Sequence, residues 1–194
     1  RQSPPMTDAP PPRTGHPYAE LTPDRVLDAL QVIGLDGDGR LTALGSYENR
    51  VYQLPLSDPC QGHDEVVVKF YRPGRWSDAQ ILEEHAFAAD LAAAEVPVVA
   101  PLNLLGRTLH HHGGFAFAVC PRRGGRQPEL EDLDVLEWIG RFLARLHTVG
   151  AGRPFEHRPA LDAASHAHEP RDWLLAHEAI APEVRGEWQA LLKE

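Results

Sequence analysis

Apolar residues recur along the chain with two periods, and the order in which the periods alternate predicts a set of elements. Thr22-Pro23-Asp24 sets an N-cap residue, a proline at the first helical position and an early carboxylate ahead of Val26, Leu27, Leu30 and Ile33 at helical spacing, so a helix is predicted up to Gly34. Three β-type runs follow, Arg40 to Leu44, Val51 to Leu56 and Glu65 to Tyr71, which read as an antiparallel meander. Ser77-Asp78-Ala79-Gln80 matches the S-x-x-Q capping box and opens a second helix, predicted to run to about Ala94. Pro97 and Pro101 then force extended chain. Leu102 to Leu109 and Phe115 to Val119 flank His110-His111-His112-Gly113-Gly114, which reads as the turn of a hairpin. After the polar, glycine-containing stretch Arg122 to Arg126, residues Leu136, Ile139, Leu143 and Leu146 form one helical stripe. The pattern weakens beyond Gly150, with helices predicted over Arg171 to His177 and at the end.

Composition sharpens this picture. Residues 1–18 carry six prolines and few apolar side chains, so they cannot bury enough surface to offset their ordering entropy and are predicted to be a disordered tail. The remainder divides into a lobe over 19–119, a connection over 120–126 and the beginning of a helical region over 127–194. Nineteen Lys and Arg against 28 Asp and Glu give a net charge of -9, which lacks the positive field of a nucleic-acid binder or a polybasic membrane binder. Cys60 and Cys120 are far apart with no CxxC, which argues against a disulfide framework or zinc ribbon and suits a reducing cytoplasm. No run approaches the ~18 apolar residues of a membrane span. The chain begins at Arg1 and stops at Glu194 inside an apolar helical pattern, so a fragment of a longer protein is expected.

The fold class is therefore α+β: a five-stranded antiparallel sheet with one helix inserted after the third strand, followed by helices. That order is what a protein-kinase-like small lobe leading into a truncated large lobe requires.

Lys69 lies in the otherwise apolar run Val66 to Tyr71, on one face with Val67 and Tyr71, and is expected to point into a cleft. Its bland alternative is an edge-strand lysine that deters aggregation. A cleft lysine that contacts phosphate needs a carboxylate to fix its ammonium, and the next helix offers Glu83 and Glu84. At about 100° per residue Glu84 falls beside Ile81, between Leu91 and Ala88, while Glu83 falls on the polar face, so Glu84 is the better partner. Ser46, in the loop between the first two strands, offers a backbone N–H and a hydroxyl to phosphate, with Asn49 and Arg50 as supports. The loop has a single glycine and no phosphate-binding fingerprint, and by motif alone is an ordinary turn.

Other constellations fail on spacing. Asp36-Gly37-Asp38-Gly39 starts like a calcium loop, but its glycine comes too early and Tyr47 holds the twelfth place, where a Glu is needed. His110-His111-His112 are adjacent and point in different directions, unlike chelating residues, and His147 on its leucine-rich helix reads as structural.

Three strings, Ser46 to Tyr52, Val67 to Pro73 and Ile81 to His85, resemble the bacterial Ser/Thr protein kinases of the aminoglycoside-phosphotransferase and choline-kinase superfamily. Val96 to Pro101, Gly124 to Arg126, Phe155 to Pro159 and Glu169 to Arg171 extend the likeness to about residue 175. The resemblance implies an ATP-dependent, Mg²⁺-requiring, cytoplasmic and monomeric kinase that acts on protein Ser/Thr hydroxyls and is linked to stress survival. By position, it puts ATP phosphates at Ser46 and Lys69, with Glu84 holding Lys69, and adenine on the backbone near Val119, Cys120 and Pro121. The superfamily's H-G-D-x-x-x-x-N loop, which supplies a catalytic Asp and a metal-binding Asn, is absent: the only asparagines are Asn49 and Asn103. Catalytic and metal-binding residues are thus expected beyond Glu194, and the chain alone is expected to be inactive. A small-molecule phosphotransferase of the same fold and a catalytically dead nucleotide-binding or interaction module are the alternatives.

Overall fold

The computed structural model describes residues 16–191, in two compact units that meet in sequence at Phe155 and Glu156. Most of the predicted disordered tail lies outside the described residues. Its boundary at residue 18 is too late, however: Tyr18 is buried, and its hydroxyl donates to the Glu48 carbonyl (3.0 Å) and the Phe70 carbonyl (3.3 Å). An aromatic ring with two acceptors in reach gains enough to hold the chain there.

Helix α1 spans Pro23–Gln31 and is capped as its sequence dictates, with Thr22 Oγ1 accepting the Arg25 N–H at 3.3 Å. Gly34 adopts φ +78° just past its end, and the Leu35 N–H returns to the Leu30 carbonyl at 3.0 Å. Strands β1 (Thr42–Leu44), β2 (Arg50–Cys60), β3 (His63–Phe70), β4 (His110–His112) and β5 (Phe115–Pro121) form one antiparallel sheet in the order β1-β2-β3-β5-β4. Helix α2 (Asp78–Ala93) is inserted between β3 and β4, and both halves of the Ser77/Gln80 capping box are formed.

The second hairpin differs from its sequence reading. Leu102 to Leu109 is not a strand, because Leu105 (φ +51°) and Gly106 (φ +78°) turn the chain back and leave only a bridge between Leu104 and Arg107. The three histidines assigned to the turn are β4 itself. The turn is Gly113-Gly114 alone, with φ +56° and +83°, the two consecutive positive values of a tight hairpin whose twist matches its strands.

The pleat divides β3 between two layers. Val66, Val68 and Phe70 join Leu54, Phe115, Phe117 and Val119 against Val26, Ala29 and Leu30 of α1, and this is the main core. Phe70 and Phe117 stack with centroids 5.2 Å apart. On the opposite face Tyr71, Ile81, Leu109 and Ala118 form a smaller cluster, through which α2 rests on the sheet. Helix α3 (Leu133–Gly150) lies beside α2: Arg145 donates to the Ala94 (3.1 Å) and Glu95 (2.8 Å) carbonyls, and Arg153 pairs with Asp90 at 2.7 Å. Leu133, Leu136, Trp138 and Leu143 of α3 are exposed.

The second unit, from Glu156, contains a π-helical turn (Ala164–His168) running into α4 (Glu169–Ala176), and then α5 (Pro182–Leu191). Ser165 closes the start of that turn through its N–H to Asp162 Oδ1 at 2.8 Å. Among the described residues no helix is long and apolar enough to cross a membrane, and both cysteines are free thiols.

Candidate functional site

Lys69 sits on an inner strand, opposite Val51 of β2 and Ala118 of β5, so the edge-strand alternative does not apply. With its flanking residues Val68 and Phe70 committed to the main core, the alternation of the strand turns Lys69 to the α2 face. There its Nζ lies 3.2 Å from Glu84 Oε1 and 4.6 Å from the centre of the Tyr71 ring. Both partners of the ion pair remain partly open, at 30% and 40% exposure, so the ammonium is oriented by the carboxylate yet accessible from solvent. An exposed pair of this kind adds little stability.

Beside this pair, α2 carries His85 into the interface with the sheet. Its Nε2 is 2.7 Å from the Tyr71 hydroxyl and its Nδ1 is 2.8 Å from Thr108 Oγ1, and the ring is buried. Burial, reinforced by the Lys69 ammonium and by His110, pushes the His85 pKa down to about 4. Since an unfolded histidine titrates near 6.5, the unfolded chain takes up a proton between about pH 6.5 and 4 that the native chain refuses. The stability contributed by the neutral ring is therefore complete above about pH 6.5 and lost as the pH falls towards 4, by up to roughly 3 kcal/mol. Urea titrations at pH 7.5, 6 and 5 should show the midpoint falling, and His85→Gln should flatten the trend; an unchanged slope in that variant would assign it elsewhere. His110 is shifted down by burial as well, so a smaller slope of the same sign should persist.

Ser46 is half-buried in the loop between β1 and β2, and fully exposed Tyr47 follows it. The loop is held mainly by Glu48, whose carboxylate accepts from Trp76 Nε1 (2.9 Å) and Arg75 Nε (3.0 Å) in the connection ahead of α2. The hydrogen bond from Arg75 holds the Glu48 carboxyl below its usual range. Asn49 Oδ1 also accepts the Arg72 N–H, at 3.4 Å. Sequence reasoning gave supporting roles to Asn49 and Arg50 but missed Glu48, because its partners lie 27 and 28 residues downstream with no local spacing to betray them.

Val119, Cys120 and Pro121 end β5, opposite Val68, Val67 and Val66. The Val119 carbonyl already accepts the Leu102 N–H at 2.8 Å. The ladder alternation, set by Tyr71 N–H on the Ala116 carbonyl and Arg122 N–H on the Glu65 carbonyl, turns the Cys120 backbone groups towards β3. The Cys120 side chain shares the Lys69 face, where burial pushes its thiol pKa up and the Lys69 ammonium acts against that shift. His85 and Thr108 were likewise missed by sequence reasoning, which placed Tyr71 on the Lys69 face but gave it no role; a histidine inside the apolar stripe of α2 was the available signal.

A five-stranded antiparallel sheet, a helix inserted after its third strand, and a lysine of that strand paired with a carboxylate of that helix define the small lobe of a kinase-like phosphotransferase. The sequence profile of the phosphotransferase enzyme family (APH) matches residues 40–194, and the chain belongs to that family. It is 46% identical over 176 residues to stress response kinase A of Salmonella choleraesuis, an alignment that covers 91% of this chain and 52% of the relative. It is 48% identical over 154 residues to stress response kinase A of Escherichia coli K12, covering 79% of the chain and 46% of the relative. A third relative, 46% identical over 176 residues (91% of the chain, 52% of the relative), is serine/threonine protein kinase RdoA of Salmonella typhimurium. The chain thus spans about half the length of the curated relatives it matches. In structure it is similar to the amicoumacin kinase hAmiN, solved in complex with AMP-PNP, Ca²⁺ and Ami, with TM-score 0.58 and 20% identity over 72% of this chain and 42% of that one.

Proposed function

We propose that this chain is the ATP-binding lobe, with the start of the helical lobe, of a Ser/Thr protein kinase of the stress-response type. The observation that carries the reading is the Lys69–Glu84 pair across β3 and α2. An ammonium paired with a carboxylate and still 30% exposed can meet phosphate oxygens that arrive from solvent. Val51, Val67, Ala118 and Cys120 give that face an apolar floor next to the lysine, which fits a nucleotide base. By the alternation of β5, adenine would meet the Val119 N–H and the Pro121 carbonyl, the groups directed away from β3. Ser46 would approach the phosphates from the loop that Glu48 secures.

The residues fit Mg²⁺ less well. Among the described residues no group of three or more His, Cys, Asp and Glu comes together. The metal would arrive with ATP. Protein Ser/Thr acceptors are favoured over small alcohols by the 46–48% identity to relatives named as stress response or Ser/Thr kinases. Parallel assays of the longer protein on Ser/Thr peptides, choline and an aminoglycoside would separate the two.

Calorimetric titration of the chain with MgAMP-PNP should show one site, and Lys69→Ala should raise its Kd about tenfold to a hundredfold, as expected for losing a charge-assisted hydrogen bond. Absence of binding, or equal binding by the variant, would refute the proposal.

A further inference from the structure

We propose that His85 is a positioning residue, which sets the roll of α2 on the sheet by bridging Tyr71 and Thr108 so that Glu84 meets Lys69. Its effect on nucleotide binding rests on the function proposed above, but the effect on the Lys69–Glu84 pair stands without it.

Glu84 and His85 are consecutive on α2, so any rotation of the helix that carries one away from its partner moves the other as well. The apolar contacts of α2 with the sheet, in which Ile81 packs with Tyr71, Leu109 and Ala118, are non-directional and do not by themselves fix a rotation. The two bonds of the imidazole do not, since hydrogen bonds weaken steeply when bent. Tyr71 then closes a ring of contacts. Its hydroxyl meets His85, and its ring face lies 4.6 Å from Lys69 Nζ, which in turn holds Glu84 at 3.2 Å. One side chain of the sheet thus supports both the lysine and the helix that carries its partner. A neutral imidazole has one N–H and one lone pair, so one hydroxyl donates and the other accepts. The charged and titratable groups around it, Lys69 and His110, both disfavour a second proton on the ring.

Two near-isosteric variants isolate the bridge. Tyr71→Phe keeps the ring under the lysine and removes the hydroxyl, and Thr108→Val removes the other one. Val26→Ala in α1 serves as a control that lowers stability from the opposite face of the sheet. NMR on the 194-residue chain should show a cross-relaxation contact between the Lys69 Hε and Glu84 Hγ protons in the wild type and in Val26→Ala, weakened or absent in Tyr71→Phe and Thr108→Val. The Kd for MgAMP-PNP should rise about 2- to 30-fold in the two bridge variants. If one bridge variant does not fold, the other decides. Retention of the proton contact in a folded bridge variant overturns the role given to His85. A wild-type chain that binds no nucleotide while the contact still responds overturns the nucleotide reading and leaves the positioning role in place.

Discussion

Lys69→Ala in a complete kinase carrying this lobe is expected to slow phosphoryl transfer about 10²- to 10³-fold, the range found when one preorganised donor to developing charge is removed. Transfer proceeds through a state whose charge spreads over the phosphoryl oxygens, and an ammonium fixed in advance stabilises that state without reorganising. If Glu84 serves to hold Lys69, as proposed, Glu84→Gln should cost less, and the double variant should be no slower than Lys69→Ala alone. The 194-residue chain by itself should transfer no phosphate to a Ser/Thr peptide. Its asparagines, Asn49 and Asn103, both precede the helical region, and no H-G-D string supplies a carboxylate to orient the acceptor hydroxyl. Radiolabelled transfer from ATP reads out both statements. A Lys69→Ala rate within a few fold of wild type would remove the lysine from the phosphates, and measurable transfer by the chain would require a different base.

Phe70→Ala should lower stability by about 3–5 kcal/mol, the usual range for truncating a buried aromatic. Phe70 is completely buried, stacks on Phe117 at 5.2 Å and meets Phe115 and Tyr52 edge-on at 6.4 and 6.3 Å. Its removal would leave a cavity between α1 and the sheet where three aromatic neighbours lose contact at once. Against a typical total of 5–15 kcal/mol, that brings the lobe close to unfolding at room temperature. Leu143→Ala on the exposed face of α3 should change stability by only about 0.5 kcal/mol. Urea unfolding followed by far-UV circular dichroism compares the two, and a Phe70→Ala loss below about 1.5 kcal/mol would mean that this core relaxes around the gap.

The sheet and the lysine pair were legible because their signals are local or periodic. Val66, Val68 and Phe70 alternate with Lys69, and helical phase separates Glu84 from Glu83, so simple geometry brings Lys69 and Glu84 to one face. The capping residues Thr22, Ser77 and Gln80 were equally readable, since each bonds within three positions. What escaped depends on pairs remote in sequence. Glu48 with Trp76, Tyr18 with Phe70 and His85 with Thr108 have no period or spacing, and only the tertiary fold brings them together. The histidine run shows a different failure. Three consecutive polar residues before two glycines look like a turn, but His110 is buried against Phe117 and the glycines alone make the reversal.

The insertion of α2 also divides the order in which the lobe can assemble. The meander β1–β2–β3 and the hairpin β4–β5 each pair neighbours in sequence, and hairpins of that kind close in microseconds. The seam between β3 and β5 instead sets Phe70 opposite Phe117, across the whole of α2 and the proline-bound segment after it. Closing that long loop carries the largest entropic cost in the sheet, and it is the step that brings Phe70 onto Phe117 and Lys69 beside Ala118. The stacking of the main core and the Ala118–Cys120 side of the site face thus share one step, the one with the highest loop-closure cost.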